Sequence, residues 1–365
     1  MSTGLAPEVG SELVTARLRL GRWEMLRRRP LWLLTGGLVL LLCSLVAGIV
    51  LGNVPVAPDQ TLAILAHRLL GWSGPVTWTP AAETIVMELR LPRVLTAMAV
   101  GTGLALAGAV LQGLLRNPLA DPYVLGTASG AALGAAIALL VPIQVAVLGL
   151  GLLHILAFTG ALLAVWLVYR LSGGASAGSL TSVLLTGYAV GSLLAAGIAL
   201  AMYLSGANLR QIFFYLLGSF ATASWQQLLV GLPLVAAGSV LILTRARSLN
   251  ALLLGEETAL HLGLDVRRER GILLTLASLV TAASVALAGL IGFVGLVVPH
   301  VVRIAVGPNA RAVLPLAAVF GASFLVLADL VARIPGEVPV GIITAVVGAP
   351  FFLSLLRRFR SGYEL

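Results

Sequence analysis

Residues 30–52 read PLWLLTGGLVLLLCSLVAGIVLG, an apolar run that decides the class of this protein. A membrane-spanning helix needs about 20 mostly apolar residues to cross roughly 30 Å of hydrocarbon. Six arginines precede the run, at positions 17, 19, 22, 27, 28 and 29. A secretory signal also has a basic start, but its apolar region is only about 7–15 residues long. We therefore predict that the run is the first membrane helix.

The composition of the whole chain points the same way. Its 365 residues are 59% hydrophobic and 10% charged, whereas an average soluble domain is about 45–50% apolar and about 25% charged. So few charges could not cover a soluble surface, which argues against a soluble enzyme, a disordered chain or a disulfide scaffold. The net charge of +9 would suit nucleic-acid binding in a soluble protein. Here no nucleic-acid partner is expected, because basic residues accumulate in the cytoplasmic loops of membrane proteins.

Nine further apolar segments follow the first, so that the sequence predicts an all-α, polytopic membrane protein with ten transmembrane helices. They lie near residues 93–115, 122–142, 145–170, 181–204, 226–244, 271–290, 293–307, 311–333 and 340–357. The segment at 293–307 is short and contains Pro299. The expected domains are a cytoplasmic N-terminal segment (1–29), the ten-helix domain (30–358) and a cytoplasmic tail (359–365).

The arginines orient these segments, since all 23 basic residues are arginine. With both termini cytoplasmic, eighteen arginines fall inside, at positions 17, 19, 22, 27, 28, 29, 116, 170, 245, 247, 267, 268, 270, 303, 311, 357, 358 and 360. Five fall outside, at positions 68, 90, 93, 210 and 333. This asymmetry is the one that the positive-inside rule requires. Omitting the short segment would place the basic C-terminal tail outside, against the rule.

A short repeated motif is consistent with an inverted repeat in the chain. The tetrapeptide ALAG occurs at 105–108 and again at 286–289, and each final glycine is followed ten residues later by a proline, Pro118 or Pro299. Inverted repeats are common in transporters. The alternative is chance, because alanine, leucine and glycine are so frequent here.

Three groups of motifs carry a resemblance to a known family. The motifs are ELRLPR (88–93), GAVLQGLLRNPLADP (108–122), LGEETALHLG (254–263), GFVGL (292–296), PH (299–300), LAD (327–329), PVG (339–341) and GAP (348–350). Together they resemble the FecCD family of ABC-importer permeases, which carry cobalamin, haem and ferric siderophores inward. The resemblance extends from about Glu88 to Arg358.

The resemblance implies a permease subunit that works by alternating access and makes or breaks no covalent bond itself. The implied partners are a second copy of the chain, two cytoplasmic ATPase subunits, a periplasmic substrate-binding protein and membrane lipid. ATP and Mg would bind to the ATPase, and this chain would bind no cofactor. The sequence agrees in lacking a phosphate-binding GxxxxGK[ST] motif. The implied location is the bacterial inner membrane.

The resemblance implies that three outward arginines dock the binding protein: Arg90, Arg93 and Arg333. A guanidinium group suits this role because it can hold a carboxylate through two hydrogen bonds. The alternative is that each side chain merely extends to the lipid headgroups. Glu88 and Glu337 lie nearby in the sequence and could neutralise these sites.

Asp329 is an acidic residue inside a late segment, and such a residue invites a functional interpretation such as proton relay. Arg333 lies four residues further on, one helical turn away. An i,i+4 ion pair between the two is therefore the simpler prediction.

The loop at about 245–270 is expected to contain the helix that couples the permease to its ATPase. The resemblance assigns this role to Gly255, Glu256, Glu257, Ala259, Leu262 and Gly263. The two glutamates near the helix start would favour its dipole, and Gly263 would let the helix end. A simple solvated loop is the alternative.

By resemblance, the translocation pathway lies between two subunits and is lined largely by the fifth segment. Its cytoplasmic gate is expected at Ser179, Leu180, Thr181 and Ser182, and its outer end at Asn208, Arg210 and Phe214. Arg210 beside aromatic residues could suit a haem propionate, which favours haem slightly over cobalamin or a ferric siderophore. Aromatic residues at this level are also the ordinary interfacial belt.

Two other classes of function stay open at this point. A proton- or sodium-coupled secondary transporter would need polar ion sites at mid-membrane, for which Asp329 is the one candidate named above. An intramembrane enzyme would need a catalytic group, and the four histidines are scattered without metal-ligand spacing.

Overall fold

A computed structural model describes residues 30–143, 145–147, 149–172, 180–334 and 336–361, and these are almost entirely helical. The all-α class is therefore confirmed. Two-residue strands, β1 (Ala146–Val147) and β2 (Leu150–Gly151), form a small antiparallel hairpin. The helices are α1 (Pro30–Val50), α2 (Pro58–Leu70), α3 (Pro80–Leu114), α4 (Thr127–Leu140), α5 (Leu152–Leu171), α6 (Leu180–Leu204), α7 (Leu209–Leu217), α8 (Trp225–Thr244), α9 (Ala246–Leu253), α10 (Glu256–His261), α11 (Val266–Ala288), α12 (Val294–Val306), α13 (Ala310–Arg333) and α14 (Val340–Ser361).

The structure places a helix at each of the ten predicted segments. Within the described residues, seven of these helices are long and apolar enough to cross a membrane: α1, α3, α5, α6, α8, α11 and α13. The other three, α4, α12 and α14, are apolar but shorter. The chain is thus a multi-pass membrane protein, while the count of ten crossings and the side on which the termini lie stay predictions. The predicted N-terminal segment, 1–29, and residues 362–365 of the predicted tail, 359–365, lie outside the described residues.

Four predicted segment starts differ from the structure by five residues or more. The fourth and seventh segments were predicted from 145 and 271, but α5 begins at Leu152 and α11 at Val266. Backbone chemistry explains the other two. The second segment was predicted to begin at 93, but α3 begins at Pro80, where the Thr79 side chain caps the first turn. The helix continues through a wider π-helical turn at Ile85–Arg90, immediately before Pro92. Proline lacks a backbone N–H, so an irregular turn there allows the helix to run on. The third segment was predicted from 122, but Gly126, with φ 77°, separates a 3₁₀ turn from α4.

Helix α3 lies at the centre of the bundle and α6 at its edge. The most apolar 18-residue stretch of α3 is 83% buried, against 11% for the corresponding stretch of α6. Helix α3 packs against α8, α11, α12 and α13. Two of these contacts bring backbones together, because a Cβ on Gly101 would overlap Gly321 O and one on Gly108 would overlap Gly295 O. Small residues at helix contacts are the usual means of close packing in membranes.

The two copies of the repeated ALAG motif differ in local structure. Gly108 lies within α3, whereas Gly289 has φ 72° and ends α11. The two prolines also differ, since Pro118 follows the end of α3 and Pro299 lies inside α12. The tetrapeptide match therefore gives no support for an inverted repeat.

We predict that Gly108→Ala destabilises the protein by about 1–3 kcal/mol or more, because the added methyl group must displace α12 from α3. The measurement is the free energy of unfolding in an SDS titration from mild detergent. Gly36→Ala is the matched control, because a Cβ at Gly36 meets nothing within 4 Å. This control should be neutral or stabilising by up to about 1 kcal/mol. Equal effects of the two changes would contradict the packing argument.

Candidate functional site

The three arginines predicted to act outside are brought together, and none of them extends to lipid headgroups. Arg90, Arg93 and Arg333 are 5%, 9% and 4% exposed. They lie around the end of α1: Arg90 ends the π-helical turn of α3, Arg93 follows it in the same helix, and Arg333 is the last residue of α13. The headgroup interpretation was therefore wrong, because three buried guanidinium groups are held by protein atoms.

Arg90 and Arg333 bind the last carbonyls of α1. Arg90 Nη1 donates to Ile49 O at 3.0 Å and to Val50 O at 2.8 Å. Arg333 Nη1 donates to Gly48 O at 2.9 Å. The last four carbonyls of a helix have no partner within it, and a cation is favourable next to its negative end. The two arginines thus supply the C-terminal cap of α1.

Asp329 accepts hydrogen bonds from both Arg93 and Arg333. The i,i+4 ion pair between Asp329 and Arg333 is confirmed: Arg333 Nε lies 3.0 Å from Asp329 Oδ2, and Nη2 binds the same oxygen. Arg93, on α3, also binds both carboxylate oxygens, with Nη2 at 2.9 Å from Oδ1 and Nε at 3.1 Å from Oδ1 and Oδ2. The Asp329 side chain is 1% exposed. This aspartate is fully occupied by two cations, which leaves it no free lone pair for a proton relay.

Glu337 completes the cluster at its surface. Its Oε2 lies 2.7 Å from Arg93 Nη1, and its Oε1 accepts a hydrogen bond from Asn53 Nδ2 at 3.3 Å. Of the two acids named as potential neutralising groups, Glu337 is thus in contact, whereas Glu88 is exposed and bonds to none of the described residues. The Glu337 backbone has φ 66°, which costs an L-residue about 1–2 kcal/mol.

A cavity of about 320 Å³ opens between these groups. Arg90, Arg93, Arg333 and Glu337 line it, together with Asn53 and apolar residues. Three guanidinium groups and two carboxylates meet here, so that the cluster retains one positive charge. A guanidinium-lined recess with surplus positive charge fits a carboxylate from a partner. We call Arg90, Arg93, Arg333, Asp329 and Glu337 the arginine cluster.

We predict that Asp329→Asn lowers the free energy of unfolding by about 3–5 kcal/mol, because two buried guanidinium groups lose their shared counter-charge. The SDS titration in mild detergent measures the change. Asp59→Asn removes an equivalent charge from the exposed first turn of α2 and should change the free energy by less than about 1 kcal/mol. An effect of Asp329→Asn as small as that of the control would contradict the role given to this carboxylate.

The predicted coupling segment forms the short helix α10, and its predicted ends are confirmed. Gly255 precedes the helix with φ 122°, and Gly263 follows it with φ 79°. Leu264 N donates back to Ala259 O at 3.0 Å, which is the bond that closes a helix beyond a left-handed glycine. Ala259 is completely buried and anchors the helix against the protein.

The outer face of α10 carries groups that no described residue binds. Leu260 and Leu262 are 59% and 64% exposed, and Glu257 is exposed as well. Glu256 differs, since it forms an ion pair with Arg270 of α11. The sequence analysis treated the two glutamates alike, but only Glu257 leaves its carboxylate available to another chain.

Contacts that the sequence analysis missed tie the segment before α10 to α3 and α13. Arg116, just beyond the end of α3, donates from Nη2 to Leu252 O at 3.0 Å. Asn250 donates to Asn309 Oδ1 at 2.8 Å and accepts from Ala310 N at 2.7 Å, at the start of α13. Helix α9 is thus held at both α3 and α13.

Residues 116–122 form a tight turn between α3 and α4. Asn117 Oδ1 accepts from Leu119 N at 2.9 Å, and Asp121 Oδ1 accepts from Tyr123 N at 2.8 Å. Burial raises the pKa of Asp121 to about 6, although the hydrogen bond from Tyr123 lowers it. A carboxylate that caps a turn in an apolar setting has these two opposing effects on its pKa.

The pathway residues that the structure describes lie at the start of α6, in the turn after it and in α7, and they are not brought together. Ser179 and the side chains of Leu180 and Thr181 lie outside the described residues, and Ser182 Oγ lies 3.5 Å from Ser172 O. Asn208 Nδ2 donates to Leu139 O at 2.8 Å. The Arg210 guanidinium lies 5.5 Å from the centroid of the Phe214 ring.

Between its two ends, α6 presents a broad exposed face. Tyr188 and Tyr203 are 78% and 85% exposed, and they lie on the same side because fifteen residues are close to four helical turns. Ser192 and Ala196 lie between them on this face. A helix with so little cover within its own chain needs another surface, which lipid or a second protein chain can supply.

Comparisons with known proteins agree with these features. The profile of the FecCD transport family matches residues 39–358. The chain is 48% identical to a cobalamin import system permease of Halobacterium salinarum over 277 residues, which are 76% of this chain and 74% of the relative. It is 42% identical to a hemin transport system permease of Yersinia pestis over 281 residues, 76% of this chain and 84% of the relative. A solved structure described as an inward-facing, metal-chelate type ABC transporter superposes with a TM-score of 0.76 at 33% identity, covering 89% of this chain and 98% of that one.

Proposed function

Because this chain belongs to the FecCD transport family, we propose that it is the permease subunit of a binding-protein-dependent ABC importer for a metal chelate. The observation that carries the proposal is that one matched region, 39–358, contains both the arginine cluster and the coupling segment. The transport subunit moves its substrate and performs no covalent chemistry. ATP and Mg bind to a separate ATPase, whose closure drives alternating access in the permease.

The proposed orientation rests on the arginine distribution, and it puts the two sites on opposite sides of the membrane. With both termini in the cytoplasm and the domain limits given above, the arginine cluster faces the periplasm and α10 faces the cytoplasm. The cluster then receives carboxylates of the binding protein, and α10 contacts the ATPase. In a bacterium this places the chain in the inner membrane.

The exposed face of α6 supports a homodimer. Only 11% of the most apolar stretch of α6 is buried within the chain, and the predicted gate residues precede that face in the sequence. Two copies that meet around α6 would enclose a pathway between them. Small and aromatic side chains would line this pathway without gripping the substrate tightly.

We propose cobalamin as the transported chelate, on the basis of the 48% identity to a cobalamin permease. The second candidate is haem, supported by the hemin permease relative and by Arg210. The haem argument is the weaker one, because the Arg210 guanidinium already stacks on Phe214 within the chain. A proton- or sodium-coupled mechanism has no support, since Asp329 is bound on both oxygens by arginine.

The proposed transport function can be tested in proteoliposomes that contain this chain, its ATPase and its binding protein. Cobalamin, haem and a ferric siderophore are supplied in turn, and uptake is measured with ATP hydrolysis. Cobalamin uptake should require ATP and the binding protein together. Uptake that follows an imposed proton or sodium gradient without ATP would refute the proposed mechanism, and uptake of haem alone would refute only the substrate.

A separate prediction concerns α10. Glu257→Arg and Leu260→Asp should reduce coupled transport at least 10-fold, because a charge is reversed or introduced at the surface proposed to enter the ATPase. Retention of the ATPase during purification and ATP-driven uptake are both measured. Glu88→Arg, the same reversal at the opposite end of the molecule, is the control and should retain the ATPase. Normal ATPase retention and transport in both α10 variants would place the coupling surface elsewhere.

A further inference from the structure

The arginine cluster contains two carboxylates that differ in accessibility. Arg93 directs Nε and Nη2 to Asp329, and Nη1 to Glu337. The Asp329 side chain is 1% exposed, whereas that of Glu337 is 43% exposed. A carboxylate arriving from outside can therefore reach Nη1 of Arg93, where Glu337 lies, without disturbing the buried pair.

The backbone around Glu337 indicates that its ion pair holds it in place. Gly336 and Glu337 both have positive φ, 100° and 66°. Glycine adopts this region freely, but a residue with a side chain does not. Asn53, in the connection after α1, binds the other carboxylate oxygen of Glu337. Two side-chain contacts thus compensate an unfavourable backbone conformation, and a competitor for Arg93 would release it.

The position of Glu337 also matches the cavity. Glu337, Arg93 and Asn53 all line the recess of about 320 Å³, together with Arg90 and Arg333. The Glu337 carboxylate thus occupies part of the space and one of the donors that an external carboxylate would use. It is an internal ligand of the site.

We propose that Glu337 covers Arg93 in the free permease and is displaced when a carboxylate of the binding protein docks. This inference rests on the docking role proposed for the cluster. Glu337 is then a specificity-determining residue, since a partner must supply a carboxylate that binds Arg93 better than Glu337 does. The apparent affinity of the binding protein is reduced by the fraction of permease in which Glu337 covers Arg93.

The test measures the Kd of the binding protein for the complete permease–ATPase complex in lipid nanodiscs at fixed ionic strength. Glu337→Gln removes the competing charge and should tighten binding about two- to five-fold, the range expected for an ion pair with one half-exposed partner. Glu337→Gly should act in the same direction, and it also suits the positive φ, so that this variant is expected to fold. Asn53→Ala leaves every charge in place but frees the Glu337 carboxylate, and it should tighten binding by a smaller factor.

Two further variants separate this inference from simple charge effects and from the docking proposal. Glu88→Gln removes one negative charge near the same end of α3, without a contact to the cluster, and should leave the Kd unchanged within two-fold. Arg93→Gln should weaken binding at least 10-fold. If Arg93→Gln weakens binding but the Glu337 variants do not tighten it, the proposal that Glu337 covers Arg93 is refuted, while the docking proposal stands. If Arg93→Gln has no effect, the docking proposal itself fails, and equal tightening by Glu88→Gln would reduce the Glu337 effect to net charge.

Discussion

The carboxylate of Asp329, bound at once by Arg93 and Arg333, holds one end of this molecule together. Arg93 belongs to α3 and Arg333 to α13, and Arg333 also reaches a carbonyl of α1. Without this carboxylate, two buried guanidinium groups would lose their shared counter-charge, and the free energy of unfolding would fall by several kcal/mol. The hydrophobic effect does not drive helices together within lipid. Polar contacts and close backbone packing therefore decide which helices are neighbours. One acidic side chain thus fixes the relation of three helices.

Helices α3 and α13 extend this relation to the other end of the molecule. Helix α13 has 24 residues, which span about 36 Å at 1.5 Å per residue, enough to cross the hydrocarbon. Its backbone meets that of α3 at Gly101 and Gly321, where neither helix can slide without a clash. At the end away from the cluster, Arg116 and Asn250 attach α9 to both helices. The proposed docking and coupling sites are therefore two ends of one packed pair.

The sequence was sufficient for what local periodicity encodes. Ten apolar segments and the Asp329–Arg333 pair are visible over short spacings, whereas helix α10 was expected only from the family resemblance. The partner of Arg93 was not visible, because 236 residues separate it from Asp329 and no local pattern links them. The missed start of α3 at Pro80 has the same origin, since the apolar pattern gives no sign that a π-helical turn carries the helix up to Pro92. The contact between Gly108 and Gly295 also depends on how helices pack, and in a chain with 41 glycines no single glycine stands out.

Burial of the three arginines and a docking role for them are compatible because of how their charges are distributed. Arg90 donates to carbonyl groups at the end of α1 and forms an ion pair with no carboxylate among the described residues, so no full negative charge neutralises it. Asp329 and Glu337 offset the other two. One positive charge therefore remains beside a recess where burial makes an unpaired charge costly. A carboxylate entering the recess relieves that cost, so the contacts that fix the fold also create the affinity for an anionic partner.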